Sequence, residues 1–139
     1  MSRKPLADKV WQGLTRLVMD NKDEWRRAVV AETGLPFSRV RILLRLANRP
    51  LTVKEVAAAA TIDAPAATVA VNDLVVRGLV VREVDPGNRR CKLVSLTPAG
   101  RKLVAAVRAI DDPAPAAVAD LTDEDLVALR EIIAKISST

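Results

Sequence analysis

The chain has 139 residues, half of them apolar and 28% charged, which suits one compact domain, or one protomer of an intertwined oligomer, and argues against disorder. It contains no histidine and a single cysteine, Cys91. That removes His-based acid–base catalysis, most zinc sites and any intrachain disulfide, so neither an enzyme, a metal nor a cofactor is expected, and a reducing, cytoplasmic compartment is. The formal net charge of +5 is unevenly placed: residues 77–102 carry +5, residues 1–76 carry +4 and residues 103–139 carry −4, so a polyanion-binding face is expected on one part of the molecule only.

From the N-terminus, Leu6, Val10, Leu14, Val18, Trp25 and Val29 recur at helical spacings and predict one long helix over residues 5–32, stopped by Gly34-Leu35-Pro36. No apolar stretch precedes it that would make a signal peptide, and no apolar run reaches the length of a membrane span. Ser38 is placed to cap a second helix through Ala47, in which Arg39, Arg41 and Arg45 stand between Val40, Ile42, Leu43 and Leu46. Thr52 and Glu55 have the spacing of a capping box at the start of a third helix that runs to Ala60. After the turn Thr61-Ile62-Asp63, Asp63 is a good N-cap and Pro65 suits the first turn of a fourth helix, which ends at Arg77 with Gly78 at C′. Two short helices across a three-residue turn form a helix-turn-helix candidate.

Two β-branched runs follow, Val80–Val84 and Leu93–Leu96, around the turn Pro86-Gly87-Asn88, with Arg89 and Arg90 beside the turn. A basic hairpin of this kind next to a helix-turn-helix unit reads as a β-wing. Thr97-Pro98 opens a fifth helix with Leu103, Val104, Val107 and Ile110 on its apolar face. It breaks at residues 111–115, where Asp112-Pro113 can restart it. Thr122 caps a last helix bearing Leu126, Leu129, Ile132, Ile133 and Ile136.

This order resembles the MarR family of winged helix-turn-helix transcriptional regulators. Leu51-Thr52-Val53-Lys54-Glu55-Val56-Ala57 is similar to the family's L-T-x-x-E-L-A helix start, and Leu74 with Arg77-Gly78-Leu79-Val80 and Glu83 to its passage into the wing. Asp85-Pro86-Gly87-Asn88-Arg89-Arg90, followed by Leu93-Val94-Ser95-Leu96-Thr97-Pro98-Ala99-Gly100, resembles the wing and the helix start after it. Asn88 stands where the family usually has Asp, and Thr61 where it often has Gly. The resemblance implies a mainly α fold with a small β-wing: one MarR-like domain over 1–139, with dimerisation helices in 5–33 and 103–139 and a DNA-binding lobe in 36–102. It implies a cytoplasmic homodimer acting as a repressor, released from a pseudo-palindromic operator by a small lipophilic, phenolic or aromatic-acid ligand.

By helical spacing Ala67, Ala70, Val71 and Leu74 of the fourth helix face the core. Pro65, Ala66, Thr68, Val69, Asn72 and Asp73 face outward, where the resemblance places the major groove. Asn72 can pair bidentately with adenine, Thr68 can reach a base or phosphate, and Ala66 and Val69 can touch thymine methyls. No arginine is available here to read guanine, so an A·T-leaning site is expected. Arg89 or Arg90 can enter a narrow minor groove, while Arg82, Lys92, Arg39, Arg41 and Lys54 are phosphate candidates. Trp11, Trp25, Arg16 and Arg41 are candidates for a ligand pocket. Cys91 lies in the wing and not in the first helix, where the family's peroxide sensors place theirs, and is read as incidental. Two other readings stay open: a degenerate winged-helix dimer that binds protein, suggested by the apolar recognition helix, and a non-specific architectural DNA binder.

Overall fold

A computed structural model describes residues 4–137. Residues 138–139, the end of the expected C-terminal dimerisation segment, lie outside the described residues. The chain divides into two compact units, residues 22–111 and residues 1–21 with 112–139.

The 22–111 unit holds every buried apolar residue described. It starts with α2 (Asp23–Thr33) and α3 (Phe37–Leu46), continues through β1 (Leu51–Thr52), α4 (Val53–Ala60) and α5 (Ala64–Val76), and closes with β2 (Val80–Asp85), β3 (Asn88–Leu96) and α6 (Pro98–Arg108). The sheet is antiparallel with order β1-β3-β2. Val29, Val40, Leu43, Val56, Val71, Leu74, Val80, Val94 and Val107 pack its core at 2% exposure or less, joining all its helices to the sheet. The second unit contains α1 (Lys4–Asp20), α7 (Ala116–Ala119) and α8 (Asp123–Ser137). No residue of these three helices is buried, and Leu6, Val10, Trp11, Val18, Ile132, Ile133 and Ile136 are exposed.

Much of the element order follows from local chemistry. The capping box forms as the spacing predicts: Thr52 Oγ1 accepts from Glu55 N at 3.1 Å, and Glu55 Oε1 accepts from Thr52 N at 3.1 Å. The backbone donor of Thr52, then Arg49, whose Nη2 lies 2.8 Å from Glu55 Oε2, hold the Glu55 carboxyl below its ordinary range. Asp63 caps α5 by accepting from Ala66 N at 2.8 Å, and Thr97 caps α6 by accepting from Gly100 N at 3.0 Å. Gly78, at φ 75°, ends α5 with its N–H bonded to Val75 O and the Leu79 N–H bonded to Leu74 O.

Several expectations are corrected. The helix expected over 5–32 is two helices. Asn21 Nδ2 donates to Leu17 O at 2.7 Å and satisfies the end of α1, while Asp23 and Glu24 favour a fresh helix N-terminus by their charge. Ser38 lies inside α3. Pro36 is the N-cap, its carbonyl accepting from Arg39 N and Val40 N. The chain after α6 restarts at Ala116 behind Pro115, and not at Pro113. Leu51-Thr52 is a strand, paired with Val94 and Leu93, and β3 begins at Asn88, so the wing is longer than the apolar pattern alone indicates. The compact units meet at 21/22 and 111/112, so α2 and α6 belong to the same unit as the winged helix-turn-helix elements, a division that does not bear on the dimerisation role expected of 5–33 and 103–139. Among the described residues no single helix is long and apolar enough to cross a membrane.

Thr61 closes α4 in the left-handed region, at φ 57° and ψ 45°, the one described non-glycine residue with positive φ. A β-branched side chain is strained there. Thr61→Gly is therefore expected to raise stability by about 1 kcal/mol, read as a higher urea midpoint with an unchanged slope. A lower midpoint would show that the strain has been relieved in some other way.

Candidate nucleic-acid interface

The helix-turn-helix pair is α4 and α5, which pack on each other, with α5 carrying the outward face. Ala67, Ala70, Val71 and Leu74 are buried as the spacing predicts, and Pro65, Ala66, Thr68, Val69 and Asn72 are exposed. Val69 is 62% and Val76 86% exposed, so the face has a strongly apolar character. Thr68 Oγ1 donates to Ala64 O at 3.0 Å, leaving the hydroxyl its acceptor lone pairs.

The wing is β2, the Pro86-Gly87 turn and β3. Its tip is tied by side chain to backbone bonds: Gly87 N donates to Asp85 Oδ1 at 2.9 Å and Arg90 N to Asn88 Oδ1 at 3.2 Å. Because Asn88 is neutral, it braces the tip without taking charge from the arginines. Asn88 Nδ2 also lies 3.5 Å from Cys91 Sγ, the half-buried free thiol. The register pairs Arg82 with Val94 and Val84 with Lys92, which puts Arg82 and Lys92 on one face of the ribbon and Glu83 on the other. Arg82, Arg89, Arg90 and Lys92 are all exposed, and none makes an ion pair among the described residues. These four unpaired cations stand on a narrow ribbon whose only acidic residues are Glu83 and Asp85. Lys54, in the first turn of α4, is exposed as well.

Arg39 is placed differently from the expectation of a free phosphate ligand. Its Nε lies 3.1 Å from Asp73 Oδ2, and Arg77 Nε lies 3.1 Å from the same oxygen. The hydrogen bond from Arg39, helped by Arg77 and opposed by desolvation, holds the Asp73 carboxyl below its ordinary range. Asp73 thus pairs with two cations while staying part-exposed.

The four ligand-pocket candidates fall in two places. Trp25 and Arg41 meet at Phe37: the Trp25 ring sits edge-on to it at 5.6 Å, and the Arg41 guanidinium lies 5.5 Å from its centroid. Arg26 covers the same ring at 5.3 Å, and its Nε is buried without a hydrogen-bond partner. Trp11 and Arg16 line a shallow groove on α1 with Gln12 and Met19, and Trp11 is 70% exposed. Sequence reasoning missed a larger feature. An open cleft of about 710 Å³ within the 22–111 unit has apolar walls from Leu46, Leu96, Val104 and Ala105 and three arginines, Arg49, Arg101 and Arg108, without an acidic residue. Arg49 is engaged by Glu55 and Arg101 Nη1 by Leu96 O, while Arg108 has no ion-pair partner among the described residues. The alternation of Val104, Ala105 and Arg108 in α6 was visible in the sequence, but not the wall opposite.

Comparison with known proteins agrees with this geometry. The MarR family model matches residues 33–90, which span α3, the helix-turn-helix and the wing tip. A MarR family transcriptional regulator from Silicibacter pomeroyi DSS is similar in structure at 26% identity, covering 97% of this chain and 91% of that one, with a TM-score of 0.71. Wild-type apo MarR from E. coli matches at 21% identity over 91% of this chain and 96% of that one, with a TM-score of 0.73. A point mutant of MepR from S. aureus, solved bound to an oligodeoxyribonucleotide, matches at 23% identity over 92% and 96%, with a TM-score of 0.62. No curated protein sequence matches the chain. Residues 33–90 carry the MarR family signature, and the chain has the winged-helix fold of MarR-family transcriptional regulators.

Proposed function

We propose that this protein is a dimeric, DNA-binding transcriptional repressor of the cytoplasm, in which the wing is the main anchor and α5 reads the major groove. The carrying observation is the set of four exposed, unpaired cations on the wing beside an exposed α5 face. Thr68 and Asn72 supply polar contacts, and Ala66 and Val69 supply methyl contacts, which favours A·T-rich sequence. Lys54 adds a phosphate contact. The oligonucleotide bound to the similarly folded MepR supports the same partner here. The unburied apolar faces of α1 and α8 support a two-fold dimer, which suits a pseudo-palindromic site.

The arginine-lined cleft has the size and mixed character of a small-molecule site, so a lipophilic carboxylate is the expected effector, its charge held by Arg108. Such a ligand releases DNA by favouring a conformation that does not fit the groove repeat. The test is titration of the protein against the duplex upstream of its own gene and against a scrambled duplex, with and without excess benzoate. Preference for the native duplex, weakened by benzoate in wild type but not in Arg108→Ala, supports the whole reading. Equal binding to both duplexes indicates an architectural protein, no binding indicates a protein-interaction module, and native binding unmoved by benzoate removes the ligand step alone.

A further inference from the structure

Resting on the DNA-binding reading, we propose that Arg39 and Arg77, held in place by Asp73, form a two-arginine phosphate clamp at the edge of the recognition helix. The two arginines come from different elements, Arg39 from the first turn of α3 and Arg77 from the C-cap of α5, and converge on one carboxylate. Both reach it through Nε: Arg39 to Oδ2 at 3.1 Å, and Arg77 to Oδ1 at 3.2 Å and Oδ2 at 3.1 Å.

That mode of pairing is informative. A guanidinium has five N–H donors, and an arginine frequently grips a carboxylate bidentately through two of them. Here Asp73 takes the single Nε donor of each arginine. The Nη1 and Nη2 groups of both make no hydrogen bond among the described residues. The three side chains remain 24%, 34% and 44% exposed for Arg39, Asp73 and Arg77, so the site is open to a ligand. It keeps a surplus of one positive charge. Two free guanidinium forks match the oxygens of a phosphodiester, and a fork whose stem is already fixed loses less freedom on binding. Asp73 follows Asn72, which faces outward, so the arginines border the groove-facing surface of α5. Asp73 is therefore a positioning residue whose benefit outweighs its repulsion of the backbone.

The experiment measures binding of the full chain to its native duplex over a series of salt concentrations, with the Arg89→Ala/Arg90→Ala pair as a control for the DNA-binding reading itself. Arg77→Gln should lower affinity about three- to tenfold per protomer and reduce the magnitude of the salt slope by about one per protomer. Arg77→Lys should keep the slope but lose affinity, because the charge remains and the fork does not. Asp73→Ala should weaken binding although it raises the net charge. An unchanged salt slope in Arg77→Gln, wild-type affinity in Arg77→Lys, or tighter binding in Asp73→Ala would each overturn the clamp. If the wild-type chain does not bind the duplex, the DNA-binding reading has failed and the clamp falls with it, whereas a wing control that binds like wild type removes only the wing's role as anchor. Thermal melts of each variant confirm that the fold is kept, and Arg77→Lys retains the ion pair should Arg77→Gln unfold.

Discussion

Replacing Arg89 and Arg90 together by alanine is expected to abolish DNA binding at concentrations where the wild type saturates, while leaving the fold intact. Both side chains are exposed at the wing tip and make no ion pair among the described residues, so the variant should melt within about 0.5 kcal/mol of wild type. A dimer loses four guanidinium groups. At about 1 kcal/mol each, the net worth of an ordinary hydrogen bond and below the range for charged groups, the loss is at least about 4 kcal/mol, or roughly a thousandfold in affinity. The remaining cations offset this only in part, because the groove-facing side of α5 carries none and Arg39 and Arg77 share the Asp73 carboxylate. Fluorescence anisotropy with a labelled duplex gives the answer directly. Affinity within a few-fold of wild type would mean that α5 and not the wing is the anchor.

The largest stability effect is expected at Gly100. A Cβ there would run into the carbonyl oxygen of Leu79, with the Leu79 carbonyl carbon at 3.2 Å and Leu96 Cδ2 also at 3.2 Å. The obstacle is backbone that is already committed, since the same Leu79 oxygen accepts from Thr97 N at 3.1 Å and Thr97 Oγ1 donates to Gly78 O at 2.7 Å. The start of α6 is thus pinned to the turn between α5 and β2, and it approaches closely because residue 100 has no side chain. Gly100→Ala must push these segments apart, at a cost of about 2–3 kcal/mol. For a chain of this size that corresponds to a fall in Tm of roughly 10 °C, compared at equal protein concentration. Because α6 and the wing share this junction, wing position should suffer too, seen as weaker DNA binding even below the melting range. A Tm unchanged by the substitution would contradict the close approach.

What could be read from the sequence is what local chemistry decides. Thr52 with Glu55, Asp63 with Pro65, Thr97 with Pro98, and Gly78 each act within a few residues, and all four mark helix ends where the residue types indicate. The buried face of α5 was legible for the same reason, since helical spacing alone separates Ala67, Ala70, Val71 and Leu74 from the rest. The break after Asp20 was not, because the apolar stripe runs on through it and only Asn21 and the acidic pair behind it mark the new start. Strand β1 has two residues and exists only through pairing with β3, which no local pattern reveals. The site divides in the same way. The wing cations were visible as a charge cluster, whereas the Arg39–Asp73–Arg77 contact and the cleft between α3, β3 and α6 depend on residues far apart in sequence.

The central claim is that the wing cations grip the DNA backbone. The most direct test is the dependence of affinity for the native duplex on salt concentration. With about four phosphates neutralised by each wing, and so about eight by the two wings of a dimer, the wings alone should make log K fall against log salt with a slope of roughly −7, and Lys54 and the Arg39–Arg77 pair should make it steeper. A slope near zero would contradict the account, because it would mean that the positive charge on this ribbon does not meet phosphate at all.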